Sequence, residues 1–305
     1  MSRKISIAGV ITIIFGTSTL YGEVTLWAAG RPDSLLLLFM LGVLIIADNS
    51  EGALKKKRQI AFILLTVGAI GSKETWVLLP FLVLSFLCVV KKTSFKTALK
   101  TTWSLFLLLA LYLAVFIGWP LLSNTTLPTA YASADIRSTF LKFCELLFTY
   151  IGLSKFYAGE VWQLLLSIIA VIGFGYWLIR RKNRLALWGM FWMLLTISIS
   201  LPIRYAPSRY NYLPLIGFWM MIVAFLDKEI EEIRARFKIQ IYFASLLIIS
   251  FVVLQVSYQS IMLQNEISDY TYHGNSHKTV VALYNQIKSQ IPLDNPILSN
   301  SKYIF

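Results

Sequence analysis

Apolar stretches about as long as a bilayer is thick recur along this chain, and short basic clusters separate them. They lie near residues 5–21, 34–48, 59–71, 75–90, 101–122, 160–179, 185–203, 211–226 and 239–258. A hydrocarbon core about 30 Å thick asks for roughly 20 apolar residues per helical crossing. The pattern predicts an all-α fold, a polytopic transmembrane helical bundle of about nine spans over residues 1–258, with a short tail over 259–305. Composition agrees, because 57% of residues are hydrophobic and only 14% charged. Soluble domains carry about 25% charged residues.

The formal net charge is +13, and its placement decides what it means. Lys and Arg gather in "SRK" (2–4), "KKKR" (55–58), "KKTSFKTALK" (91–100), "RRKNR" (180–184) and "DKEIEEIRARFK" (227–238). Clusters that fall between apolar runs are the mark of cytoplasmic loops, and nucleic acid is excluded as a partner. Threading every cluster to one side puts the N-terminus in the cytoplasm and the tail outside, in a multi-pass protein of a cell membrane. The first apolar run has the basic start of a signal peptide without a small-x-small cleavage site, so it reads as a retained span. Cys88 and Cys144 fall towards opposite faces in this topology, which argues against a disulfide, and neither has a metal-ligand neighbour.

Residues 123–159 form an outer loop in this threading. Within it, "FLKFCELLFTYIGLSKF" (140–156) is too polar to span and reads as an amphipathic helix at the interface. Asn124 begins an Asn-x-Thr acceptor tripeptide. In the tail, Val280, Leu283, Tyr284, Ile287 and Ile291 recur at helical spacing. His273 and His277 are spaced for a metal on a helix, but Gly274, Asn275 and Ser276 between them favour a turn. No phosphate-cradling glycine loop, nucleophile elbow or zinc motif occurs, and no cofactor is identified.

The conspicuous polar residues converge on the outer face. One turn carries Glu23, Trp27, Arg31 and Asp33; a second carries Lys73 and Glu74; another carries Arg204, Tyr205, Arg209, Tyr210 and Tyr212. Together they can build a site for an anionic lipid head group. Each also has a bland explanation. Asp33 and Ser34 follow Pro32 where a helix begins, and capping accounts for them. Ser72 can cap the next span, and Arg or Tyr at a membrane boundary can simply anchor it. The hairpin length tips the balance. Residues 59–90 provide 32 positions for two crossings, where two full spans take roughly 40. The tip, with Lys73 and Glu74, should therefore sit at membrane depth and line a cavity.

These stretches resemble a family. "EVTLWAAGRPD" looks like the Glu-x-x-x-Trp-x-x-Gly-Arg-x-Asp stretch of the C-fold membrane glycosyltransferases, near the protein O-mannosyltransferase and tetratricopeptide-bearing types. "GSKETWVLLP" is similar to their Ser-Lys-Glu-Thr segment and "SRYNYLPLIGF" to their Arg-Tyr-x-Tyr-Leu-Pro segment. The resemblance implies a C-fold enzyme moving a sugar from a polyprenyl-phosphate donor to an acceptor on the outer face. It implies catalytic candidates in Glu23 and Asp33, and substrate-binding candidates in Arg31, Lys73, Glu74, Arg204, Arg209, Tyr210 and Tyr212. Cations would hold the phosphate, tyrosines would meet sugar or phosphate, and a carboxylate would serve as base. The complete enzyme would add a divalent metal. Family members carry further spans and a catalytic acidic loop upstream, so the expectation is a fragment, a split gene product or a degenerate paralogue. Its partners would be lipid-linked donor, membrane lipid, and a missing N-terminal segment or partner subunit. A non-catalytic lipid-phosphate-binding subunit and a transporter or flippase of a lipid-linked substrate stay open as alternatives.

Overall fold

The computed structural model describes residues 2–16, 31–50, 55–123, 136–150, 161–200 and 208–237. The chain divides into Met1–Val256 and Ser257–Phe305, and every described residue lies in the first unit. The ninth apolar stretch (239–258), Asn124, the helical spacing in the tail, and His273 and His277 lie outside the described residues.

The described residues form helices and no strand. They are α1 (Ser2–Gly16), α2 (Arg31–Asp48), α3 (Lys56–Ser72), α4 (Leu79–Ser85), α5 (Phe95–Ser123), α6 (Ile136–Tyr150), α7 (Val161–Arg180), α8 (Arg184–Ser200) and α9 (Tyr212–Phe237). The all-α expectation holds, and the described parts of the first eight apolar stretches fall on helical segments. Two helices, Phe95–Phe116 and Trp162–Arg180, are long and apolar enough to cross a bilayer by length and composition. Glu74–Val90 and Arg184–Ile199 are shorter apolar helices. α2 has the length, but carries Arg31, Asp33 and Asp48 within its 18 residues.

The segment 74–90 changes winding twice. It starts as a 3₁₀ helix over Glu74–Leu78, becomes α4, and ends as a π turn over Phe86–Val90. Pro80 explains the first change. Having no N–H, it cannot donate to the Trp76 carbonyl as an α-helix requires, and the Leu79 N–H bonds that carbonyl in 3₁₀ fashion instead. At the second change, the Ser85 hydroxyl and the Trp188 indole N–H both reach the Leu82 carbonyl, at 2.9 and 3.4 Å. Side chains competing for a ladder carbonyl are a recognised cause of helix distortion. Ser72 does not cap this segment. It is the last residue of α3, its hydroxyl bonds back to the Gly68 carbonyl at 2.7 Å, and Lys73 occupies the cap position without a side-chain capping bond.

Helices run alternately between two ends. At the basic end Arg58 donates to the Asn49 carbonyl at 2.5 Å, Lys91 pairs with Asp48 at 3.1 Å, and Arg181 pairs with Glu229 and Glu232. At the opposite end Phe15 of α1 meets Tyr212 of α9, with ring centroids 5.2 Å apart. α8 and α9 make the tightest contact. A Cβ on Gly189 would lie 2.6 Å from the Met221 nitrogen, and one on Gly217 would lie 2.5 Å from the Met193 nitrogen. Two backbones touch there, as small residues allow.

Burial runs partly inside out. Thr66, Thr102, Ser104, Gln163 and Thr196 are buried between helices, whereas Leu38, Leu64, Ile169 and Ile172 are 63–66% exposed. Ile60, Leu64 and Val67 form one outward stripe on α3, and Ile169, Ile172, Tyr176 and Ile179 another on α7. α6 has the strongest one-sided apolar pattern of the described helices, as the amphipathic reading of this region expects; residues 151–156 lie outside the described ones.

Candidate functional site

The end of the bundle opposite the basic clusters brings together parts of all three sequence motifs. Asp33 lies in the first turn of α2, and Lys73 follows the last residue of α3. The Lys73 ammonium is 2.5 Å from Asp33 Oδ1, with both side chains largely buried, at 11% and 4% exposure. The placement is doubly favourable electrostatically. A carboxylate at a helix N-terminus and a cation at a helix C-terminus each complement the local dipole. The same ammonium stands 4.8 Å from the ring centroid of Tyr210, in the 3₁₀ turn Ser208–Asn211 that leads into α9. Tyr212 hydrogen-bonds Ser34 and lies within the field of Asp33. A second bridge comes from α6, where the Tyr150 hydroxyl donates to Asn211 Oδ1 at 3.0 Å.

Asp33, Lys73 and Tyr210 border a cavity of about 10 Å³, the space of a single water. Thr75, Leu78, Thr196 and Leu213 line it with them. Thr75 is 5% exposed, and its hydroxyl has no hydrogen-bond partner. A buried hydroxyl left unsatisfied is costly, so this one marks a place where a polar atom of a ligand or water is wanted.

The sequence-based candidates separate into groups. Asp33, Lys73, Tyr210 and Tyr212 come together. Glu74, expected to line the cavity beside Lys73, is instead exposed and is not among the cavity residues. The backbone at Lys73 is extended between two helices (φ −162°, ψ 148°), and that break sends consecutive residues into different surroundings. Arg31 is exposed at the start of α2. Arg209 belongs to the 3₁₀ turn next to Tyr210, and its side chain lies outside the described ones. Glu23, Trp27, Arg204 and Tyr205 lie outside the described residues. Two residues went unassigned in the sequence. Thr75 belongs to the Ser-Lys-Glu-Thr stretch and could have been suspected from it. Ser34 reads from the sequence only as a helix-start residue. Among the described residues no group of three or more His, Cys, Asp or Glu could hold a metal ion.

Comparison with protein-family models, curated proteins and solved structures finds no match.

Proposed function

We propose that this chain is a membrane glycosyltransferase, or part of one, built as a nine-span C-fold bundle. It takes a sugar from a polyprenyl-phosphate donor where Asp33, Lys73 and Tyr210 meet. The observation that carries the reading is that convergence: residues 33, 73 and 210, from three motifs far apart in the chain, share one ammonium and one buried cavity. Exposed apolar stripes on α3 and α7 over a partly polar interior support a lipid environment.

The chemistry follows from the ion pair. A lipid phosphate arriving at Lys73 takes the ammonium over from Asp33 through a charge-assisted hydrogen bond. Lys73, with Arg31 and Arg209 nearby in sequence motif and turn, stabilises the phosphate as it leaves the anomeric carbon. Asp33, released from the ammonium, accepts the proton of the acceptor as the new glycosidic bond forms. A water-sized cavity holds no sugar, so the walls part when the donor enters. One observation favours a second reading, a lipid-phosphate-binding subunit without turnover: Asp33 is already committed to Lys73.

Purified chain, given a polyprenyl-phosphate hexose and an acceptor, tests both. Lys73→Ala and Arg209→Ala should each weaken donor binding by about 1–3 kcal/mol, the range for charged hydrogen bonds. Turnover abolished by Asp33→Asn or Glu23→Gln establishes the transferase. Binding without turnover selects the subunit. Unchanged donor affinity in both folded cation variants would sink both readings.

A further inference from the structure

At the basic end, away from the Asp33–Lys73 cavity, a cleft of about 290 Å³ opens between the end of α7, the start of α8 and the π turn. Val89, Leu178, Ile179 and Leu187 supply apolar walls, and Lys182 and Arg184 supply positive charge. No carboxylate lines it. At this end Asp48 pairs with Lys91, and Glu229 and Glu232 pair with Arg181. Among the described residues Lys182 and Arg184 form no ion pair, and Arg184 spends one N–H on the Val89 carbonyl at 3.3 Å.

The backbone adds an independent observation. Lys182 has φ 53°, in the left-handed region. It ends α7 in a Schellman turn, where the Lys182 N–H bonds the Ile179 carbonyl at 2.9 Å and the Asn183 N–H bonds the Leu178 carbonyl at 3.1 Å. Glycine ordinarily fills this position, and a residue with a Cβ is strained there. Asn183 locks the turn, donating to the Ala224 carbonyl at 2.9 Å and accepting from the Ala186 N–H at 3.3 Å. A lysine is thus held at the mouth of a half-apolar cleft where glycine would be the stabler choice. Strain of this kind gathers at ligand sites.

We infer that this cleft binds an anionic phospholipid, its phosphate on Lys182 and Arg184 and one acyl chain along Val89, Ile179 and Leu187. Basic pockets between membrane helices on the cytoplasmic side suit such head groups. The inference rests on the membrane reading and is independent of glycosyl transfer.

The test titrates full-length protein in detergent with phosphatidylglycerol, phosphatidylcholine of the same acyl chains, or soluble glycerol phosphate, and follows the thermal midpoint. Phosphatidylglycerol should raise the midpoint, and the other two should not. Lys182→Gly keeps the left-handed turn, so its lipid-free midpoint should equal or exceed that of the parent. It should need about tenfold more phosphatidylglycerol for the same shift, the scale of one lost charged hydrogen bond. An equal response to phosphatidylcholine, or an unchanged phosphatidylglycerol dependence in Lys182→Gly, would overturn the inference. A full response to glycerol phosphate would replace the lipid by a free phosphate. Donor binding at Lys73 should be untouched in Lys182→Gly, so the two sites fail or succeed separately.

Discussion

Lys73 and Asp33 illustrate how much a single buried pair can reveal about itself. Removing one member of a buried ion pair leaves an uncompensated charge and costs about 3–5 kcal/mol, whereas replacing both by apolar or neutral groups is often close to neutral. Lys73→Ala should therefore destabilise the chain strongly, and Lys73→Met combined with Asp33→Asn should recover most of the loss while still failing to bind donor. Denaturation of the purified variants measures this, and a double variant as unstable as the single one would show the pair is not isolated. The sequence revealed Lys73 because the hairpin was too short for two full crossings. It misled at Glu74 because adjacency says nothing about which way the chain breaks after a helix, and the extended backbone at Lys73 separates the neighbours. It misled at Ser72 for a related reason. A serine near a boundary can cap the next helix or bond back within its own, and here the Gly68 carbonyl took the hydroxyl. The Tyr212–Ser34 contact had no local signal, since it joins residues far apart in sequence.

At the scale of elements, the apolar runs announced the helices, but their irregularities depend on atoms elsewhere. Pro80 made the 3₁₀ start deducible in principle; the π turn depends also on Trp188 of α8, which no local reading supplies. Glycines behave the same way. Gly189 and Gly217 meet backbone on the facing helix, whereas Gly173, inside α7, has nothing within 4 Å of a Cβ. Gly217→Ala should cost about 1–3 kcal/mol by overpacking against atoms that cannot rotate away. Gly173→Ala should instead stabilise by about 0.5–1 kcal/mol, the ordinary gain in a helix interior. Thermal denaturation of the two variants in detergent should move in opposite directions. A shift of the same sign in both would mean the close approach of α8 and α9 is not as tight as described.

At the scale of the described bundle, the two ends differ in kind, one carrying the basic clusters, the other the buried Asp33–Lys73 pair and the cavity. The proposed topology predicts that cysteines introduced at Ser94, beside α5 at the basic end, and at Ser208, beside Tyr210, label from opposite sides of an intact membrane. Ser208 should label from outside, and same-sided labelling would refute the arrangement.

The tight seam between α8 and α9 also has a mechanical consequence for the cavity. Thr196 and Leu213 sit on this riveted pair and Tyr210 on the 3₁₀ turn that runs into α9, and the Trp192 indole further bonds the Leu213 carbonyl at 3.0 Å. Asp33, Lys73 and Thr75 sit on the facing elements. Of these, the 74–90 segment that carries Thr75 is pinned to α8 towards the basic end, through Trp188 to Ser85 at 3.2 Å and Arg184 to Val89. A cysteine at Thr75 should react faster with a thiol reagent in a Tyr210→Leu background, and an unchanged rate would place the latch elsewhere. The Asp33–Lys73 pair joins α2 to the end of α3, so parting these two from α8 and α9 would leave it whole. Such a parting would have to lift the hold of Lys73 on the Tyr210 ring, worth about 0.5–2 kcal/mol, together with the Tyr212–Ser34 hydrogen bond between α9 and α2.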